Sequence, residues 1–333
     1  METPASPLKF LSAAWFAPVM GLAGLALAWH RAGTVLGERA GGISIVIALA
    51  AALVFLVVAA GYLLRARRFP PALREDFSHP VRHAFVAAIP VSLILLATAA
   101  TALAGVTPAA HLAWWTGSLA QIAVTVWVVS RWWRGNKPEG IAWAGLTPVL
   151  FIPVVGNVLV PLAGVPLGHP DWSAAQFGIG AFFWPVVHVL ILVRLASQGG
   201  WPDRLAPAAF IFVAPPAVVG LALAQFGAPA ALSWGAWGIA LFSLLAAAIQ
   251  LKRIVALPFG IPHWAMSFPL AAFAALTLRL APAGGPMATL GVVALALASL
   301  VILALAFATV RGLRQGTLLA PEPVAILQPP PAA

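Results

Sequence analysis

The chain has 333 residues, of which 62% are hydrophobic and 8% charged, with a mean hydropathy of +1.00. Water-soluble domains carry about 25% charged residues, so the composition excludes an ordinary soluble fold and makes an integral membrane protein the default. The absence of cysteine removes disulfides, thiolate metal sites and a cysteine nucleophile, and seven scattered histidines leave only histidine or oxygen ligation. No cofactor and no metal are expected, and the formal charge of +10 is first to be set against membrane topology.

A hydrocarbon core of about 30 Å takes about 20 helical residues to cross. Ten apolar runs reach that length, near 10–31, 42–64, 83–105, 110–132, 142–165, 174–196, 207–227, 229–251, 263–282 and 287–310. Lipid cannot satisfy open backbone groups, and the runs lack the alternation of barrel strands, so they read as helices. The first follows Lys9, is too long for the core of a signal peptide and reads as an uncleaved span. The domain reading is a tail 1–9, a ten-helix transmembrane domain 10–311 and a Pro-rich tail 312–333 expected to be disordered.

Loops after even-numbered runs, with the two ends, carry fifteen of the basic residues, among them Arg65, Arg67, Arg68, Arg82, Arg131, Lys137 and Arg253. Loops after odd-numbered runs hold only Arg31, Arg39 and Arg279. The positive-inside bias therefore sets both termini in the cytoplasm; the membrane itself is expected to be a bacterial-type inner membrane. That bias accounts for the basic clusters without a nucleic-acid partner. Short joins after runs 3, 5, 7 and 9, against the long stretch 65–82 (RARRFPPALREDFSHPVR), pair the spans as five helical hairpins of equal orientation, a parallel repeat about an axis along the membrane normal.

Every odd run carries an interior proline: Pro18, Pro90, Pro153, the pair Pro215 and Pro216, and Pro269. Among even runs only the sixth does, at Pro185. Proline removes a helical hydrogen bond, and in hydrocarbon the freed carbonyl has to be covered by protein or water. The odd helices are accordingly predicted to form an inner layer and the even ones an outer layer against lipid. Five inner helices at packing distance leave an axial space, a narrow pore within one protomer, with the prolines and Phe16 as kink or lining positions.

The eight acidic residues, from Glu2 to Glu322, all lie in loops or tails. Cation pores and proton-coupled carriers usually need intramembrane carboxylates, so anions are the expected cargo. The odd helices point their positive dipole ends at a cytoplasmic mouth near Arg82, His83, Arg204 and His263. A wall without fixed charge limits flow by steric closure and dehydration, and an aromatic plug is one means of closure. Phe268, immediately before Pro269, is a candidate, although packing is the commoner fate of a transmembrane phenylalanine.

WFAPVMGLAGLALAW, SHPVRHAFVAAIP, WWRGNKPEG, VAPPA and WAMSFPL, in that order across residues 10–310, resemble the tellurite-resistance TehA, plant slow-anion-channel and C4-dicarboxylate transporter family. The resemblance implies a ten-helix fold with quasi-fivefold symmetry, a homotrimer with a separate pore in each protomer, and an aromatic gate at Phe268. It implies small inorganic or organic anions as cargo, passing by passive permeation. The alternative is a proton-coupled C4-dicarboxylate, sulfite or tellurite-related efflux carrier using His83 or His188. An enzyme is not expected, because no nucleophile, metal cluster or carboxylate pair sits at membrane depth.

Three further polar groups carry structural expectations. His79 and His83 have metal-ligand spacing, but Pro80 separates them and no third ligand is evident. The Ser78-His79-Pro80 turn is instead expected to cap the third helix, through Ser78 or His79. His188 is read as a neutral, hydrogen-bonded histidine, and Asn157 as a hydrogen-bond donor to a kinked neighbouring backbone.

Overall fold

The computed structural model describes residues 6–135, 140, 143–282 and 284–320. No strand occurs among them. Among the described residues nine helices are long and apolar enough to cross a membrane: α1 Ala13–Leu36, α2 Glu38–Arg68, α3 Arg82–Ala104, α4 Pro108–Trp132, α6 Pro170–Gln198, α7 Asp203–Gln225, α8 Ala230–Ala248, α9 Ile261–Leu280 and α10 Pro286–Arg314. The remaining apolar run, α5 Pro148–Gly164, is shorter and broken. Its α-helical turns Phe151–Val155 and Pro161–Gly164 flank a 3-10 turn Gly156–Leu159. Of the ten spans expected from the sequence, nine are thus continuous helical spans among the described residues and the fifth is interrupted. Pro153, Gly156 and Pro161 explain the interruption.

The odd helices share a second feature. Each opens with a 3-10 stretch and turns α-helical at its proline: Ala13–Phe16 before Pro18, Arg82–Ala87 before Pro90, Pro148–Leu150 before Pro153, Asp203–Val213 before Pro215 and Pro216, and Ile261–Met266 before Pro269. These prolines therefore start the α-helical part within its first turn, where a missing N–H costs least. They are junctions rather than bends inside a regular helix. Pro185 does lie inside α6, and Pro207 lies inside the 3-10 part of α7.

Burial separates the two sets. Between 61% and 89% of the membrane-crossing window is buried in α1, α3, α7 and α9, against 17–33% in α2, α4, α6, α8 and α10; nearly all of α5 is buried too. Contacts run α1 to α3, α3 to α5, α5 to α7, α7 to α9 and α9 back to α1, closing a cycle. Each even helix packs on its own odd partner and on the next odd helix, with α10 returning to α1. Each turn from odd to even helix uses a glycine with positive φ, at 37, 105, 168, 227 and 284–285.

Polar side chains of the outer helices reach the inner backbone. Ser44 Oγ donates to the Ala26 carbonyl at 2.6 Å and Ser233 Oγ to that of Gly220 at 2.9 Å. At broken α5 the demand is greatest: Gln121 Nε2 donates to the carbonyls of Ile152 at 3.2 Å and Pro153 at 2.9 Å, and Thr125 Oγ1 donates to Pro153 at 2.6 Å. Asn157, expected to bond the kinked backbone of a neighbouring helix, donates instead to the Val154 carbonyl of its own segment at 3.1 Å and to the Thr125 Oγ1 side chain of α4 at 2.8 Å.

The domain edges differ from the sequence reading. Residues 7–10 form a 3-10 turn, and α10 continues to Arg314 before Leu318 folds back over Gly312. Ordered structure thus extends beyond the expected limits of 10 and 311. Lys137 and residues 321–333 of the Pro-rich tail lie outside the described residues.

At Gly180 of α6 an added Cβ would stand 2.9 Å from Val158 N and 3.0 Å from the Val155 carbonyl of α5, both fixed backbone. Gly180→Ala is expected to cost about 1–3 kcal/mol through overpacking. The check is a lowered unfolding temperature in detergent, while Gly178→Ala, where nothing lies within 4 Å, leaves it unchanged.

Candidate functional site

The prolines assigned to the inner layer are all buried, each at the start of an inner α-helical segment. Phe268 follows Ser267, the first residue of the α-helical part of α9, and is 8% exposed. Its ring rests on α1: a Cβ at Gly24 would stand 2.8 Å from Phe268 Cδ2 and 3.3 Å from Cε2. One turn earlier on α1, Gly21 leaves the corresponding space for Ser267, whose Cβ would be 2.6 Å from an added Cβ there. The spacing Gly21, Gly24 thus seats Ser267 and Phe268 against the α1 backbone, and Ser267 Oγ ties itself to the Trp264 carbonyl at 2.6 Å.

Phe16, set among the lining candidates, is placed elsewhere. Its ring is edge-on to Phe55 at 5.7 Å and to Tyr62 at 6.1 Å, both on α2, and it is 1% exposed. It belongs to the packing between α1 and α2 and is not brought together with Phe268. An aromatic residue next to a helix-starting proline packs outward as readily as inward, and the sequence alone did not distinguish the two.

The basic end of the bundle holds a network that sequence reasoning missed. The stretch after α2, read as a Pro-broken loop, contains a helix Pro70–Ser78, started by two prolines in its first turn. Asp76 on it is 2% exposed and pairs with equally buried Arg65 at 2.7 Å and with Arg82 at 3.2 Å. Arg82 also pairs with exposed Glu75. Arg65 Nε donates to the Lys9 carbonyl at 2.8 Å and Nη2 to that of Ala72 at 3.2 Å, and Arg131 Nη1 donates to the Phe77 carbonyl at 3.0 Å. One short helix is thereby fastened to the N-terminal turn, α2, α3 and α4. Its signal was legible in part: ALREDF after Pro-Pro places Leu73 and Phe77 four residues apart on one face.

The network corrects the expected charge of the mouth. Arg82 serves two carboxylates instead of standing as an unmatched cation. His263 is buried and held by the Gly260 backbone, with Phe259 beside it at 5.4 Å. His83 is buried against Trp127 at 6.0 Å, its Nδ1 2.9 Å from the His79 carbonyl.

The cap on α3 falls to His79: its Nδ1 accepts from Val81 N and Arg82 N, each at 3.1 Å, whereas Ser78 Oγ donates to the Glu75 carbonyl. An imidazole accepting at Nδ1 is unprotonated there. Burial first, then the charges of Arg82 and Arg204, push the His79 imidazole down to about 4. The hydrogen bond from Arg82 holds the Glu75 carboxyl below its usual range.

His188 differs from its reading as a hydrogen-bonded histidine. Among the described residues its ring is held by Phe212 at 5.0 Å and Phe151 at 6.2 Å. It faces a cavity of about 250 Å3 lined also by Trp201, Phe242, Ser243 and Arg253.

A family model described as "Voltage-dependent anion channel" (SLAC1) matches residues 11–311. The chain belongs to the SLAC1 family, and with its apolar helices it is a multi-pass membrane protein. It is 27% identical over 229 residues to the S-type anion channel SLAH3 of Arabidopsis thaliana, covering 68% of this chain and 35% of that one. With the tellurite resistance protein TehA homolog of Haemophilus influenzae it shares 27% over 273 residues, 79% of each chain. An uncharacterized transporter of Methanocaldococcus jannaschii is 24% identical over 298 residues, 82% of this chain and 85% of that one. The match thus spans about a third of the length of SLAH3 and 43% of its Arabidopsis relative SLAH2.

Two outcomes test the basic-end network. Asp76→Asn leaves buried Arg65 without its countercharge, a loss of about 3–5 kcal/mol for a broken buried pair. The variant is expected to unfold at lower temperature in detergent, while Glu75→Gln at the exposed position changes little. Between pH 6.5 and 4 the unfolded chain binds a proton that folded His79 refuses. Stability therefore falls as pH drops through that window, and Glu75, with its lowered pKa, acts in the same direction. His79→Gln flattens the pH dependence of the unfolding temperature there.

Proposed function

We propose that the protein is an anion channel or channel-like anion exporter, with passive permeation along the axis enclosed by the five odd helices and Phe268 as its gate. The observation that carries this reading is the closed cycle of buried odd segments, in which, among the described residues, the one carboxylate is Asp203 at the start of α7. A wall of that kind neither attracts cations nor offers a proton relay. The family match and the anion-channel names of the plant relatives support the same cargo class.

In this reading the ten helical segments form five hairpins of quasi-fivefold arrangement, α5 counting as the interrupted fifth inner segment. The pore-lining positions are Pro18, Pro90, Pro153, Pro215, Pro216 and Pro269, whose junctions let the inner segments change pitch around the axis. The pore lies within each protomer of a homotrimer in a bacterial-type inner membrane, with both termini cytoplasmic. The basic bias of the loops supports that orientation, and the family match over 11–311 supports a single channel domain of 10–311. The bare apolar faces of the even helices suit lipid and neighbouring protomers alike.

A second reading draws on the TehA homolog, which matches over 79% of both chains: efflux of C4-dicarboxylate, sulfite or a tellurite-related anion, coupled to protons. Planar-bilayer recordings under chloride, nitrate, sulfite and malate gradients separate the two. Channel behaviour gives voltage-driven current without saturation or an imposed proton gradient.

Phe268→Ala is expected to raise anion current several-fold. An unchanged current in a correctly assembled variant contradicts the gate. Gly24→Ala, which crowds the Phe268 ring, is expected to change current in the wild-type background and to have no effect in Phe268→Ala.

A further inference from the structure

At the end of the bundle opposite the Arg65–Asp76 network, the fold joins two histidines 58 residues apart. His111 lies in the first turn of α4, and His169 directly precedes α6. His169 Nε2 is 3.3 Å from His111 Nδ1, with the rings nearly perpendicular at 79°. Both side chains are half-buried.

The His169 ring is held from two sides. It stacks on Trp114 at 5.0 Å with an interplanar angle of 8° and meets Trp115 edge-on at 5.0 Å. Trp114 is itself fully buried, with its indole N–H donating to the Val160 carbonyl at 2.9 Å. The imidazole orientation is thus set by a fixed aromatic wall. Gly164 makes room for that wall, since a Cβ there would collide with Trp114 and Ser173.

The separation of the two nitrogens has a chemical meaning beyond a long N–H···N contact. Two ligand nitrogens at about 2.0–2.1 Å from a tetrahedral Zn2+ ion lie about 3.3–3.4 Å apart. Imidazole is the commonest metal ligand, and rings held in place by their surroundings lose little freedom on binding. We propose that His111 and His169 form a binding site for a borderline divalent cation of the Zn2+ or Co2+ class, tying α4 to the start of α6. No third histidine or carboxylate joins them among the described residues. Water completes the coordination, and the site is of modest affinity, formed and lost with the supply of metal.

The test uses full-length protein in detergent, free of any histidine tag, titrated with Co2+. Expected are one ion per chain, a tetrahedral-type visible spectrum and displacement by Zn2+. His111→Gln and His169→Gln each weaken binding at least about tenfold, and His30→Gln leaves it unchanged. Affinity equal to that of the wild-type protein in either Gln variant, or no uptake by the wild-type protein at millimolar metal, overturns the proposal. Should the variants fail to fold, electron paramagnetic resonance of Cu2+ bound to the wild-type protein decides. Coupling to two imidazole nitrogens supports the pair, and coupling to one or none refutes it.

Discussion

Backbone carbonyls and amides cannot be left unpaired in hydrocarbon, where each orphan costs several kcal/mol. Five segments of this chain break the regular helical pattern with a 3-10 stretch and a proline. Each must then be surrounded by protein or by a water-filled path. The even helices supply the protein side of that requirement. They remain regular apart from Pro185, expose Leu, Val and Phe side chains on one face, and direct Ser44, Gln121, Thr125 and Ser233 at the carbonyls of the irregular segments. The division into buried odd and exposed even helices follows from that requirement.

The same division sets the chemistry available along the axis. Carboxylates at the helix starts leave the inner wall without fixed negative charge. At the basic end, guanidinium groups are matched by Asp76 and Glu75 around a docked short helix. The five inner N-termini add a favourable field for an anion at that end. In the proposed reading, such a wall selects by ease of dehydration, and the ring seated on Gly24 closes it.

Much of this was legible in the sequence because its causes are local. Proline positions and apolar run lengths are read directly, and they gave the alternation of inner and outer helices. Asn157 beside Gly156 announced a polar group serving a broken backbone. What escaped was tertiary. Asp76 looked like any loop acid until its helix docked beneath Arg65, and nothing local to Phe16 said that its ring would turn to Phe55 and Tyr62. The irregularity of α5 was written in Pro153, Gly156 and Pro161, yet run length alone made it look like a full span. The pairing of His111 with His169 depended on the fold, since neither residue sits in a motif.

The absence of native cysteine makes one measurement especially direct. Single cysteines introduced in turn along α9 and along α10, in membranes, are exposed to a negatively charged, membrane-impermeant thiol reagent. The account predicts reaction on one helical face of α9 that continues through membrane depth, and none at mid-depth on α10. Reaction confined to the ends of both helices, or stronger at mid-depth on α10 than on α9, would contradict an anion path enclosed by the inner segments.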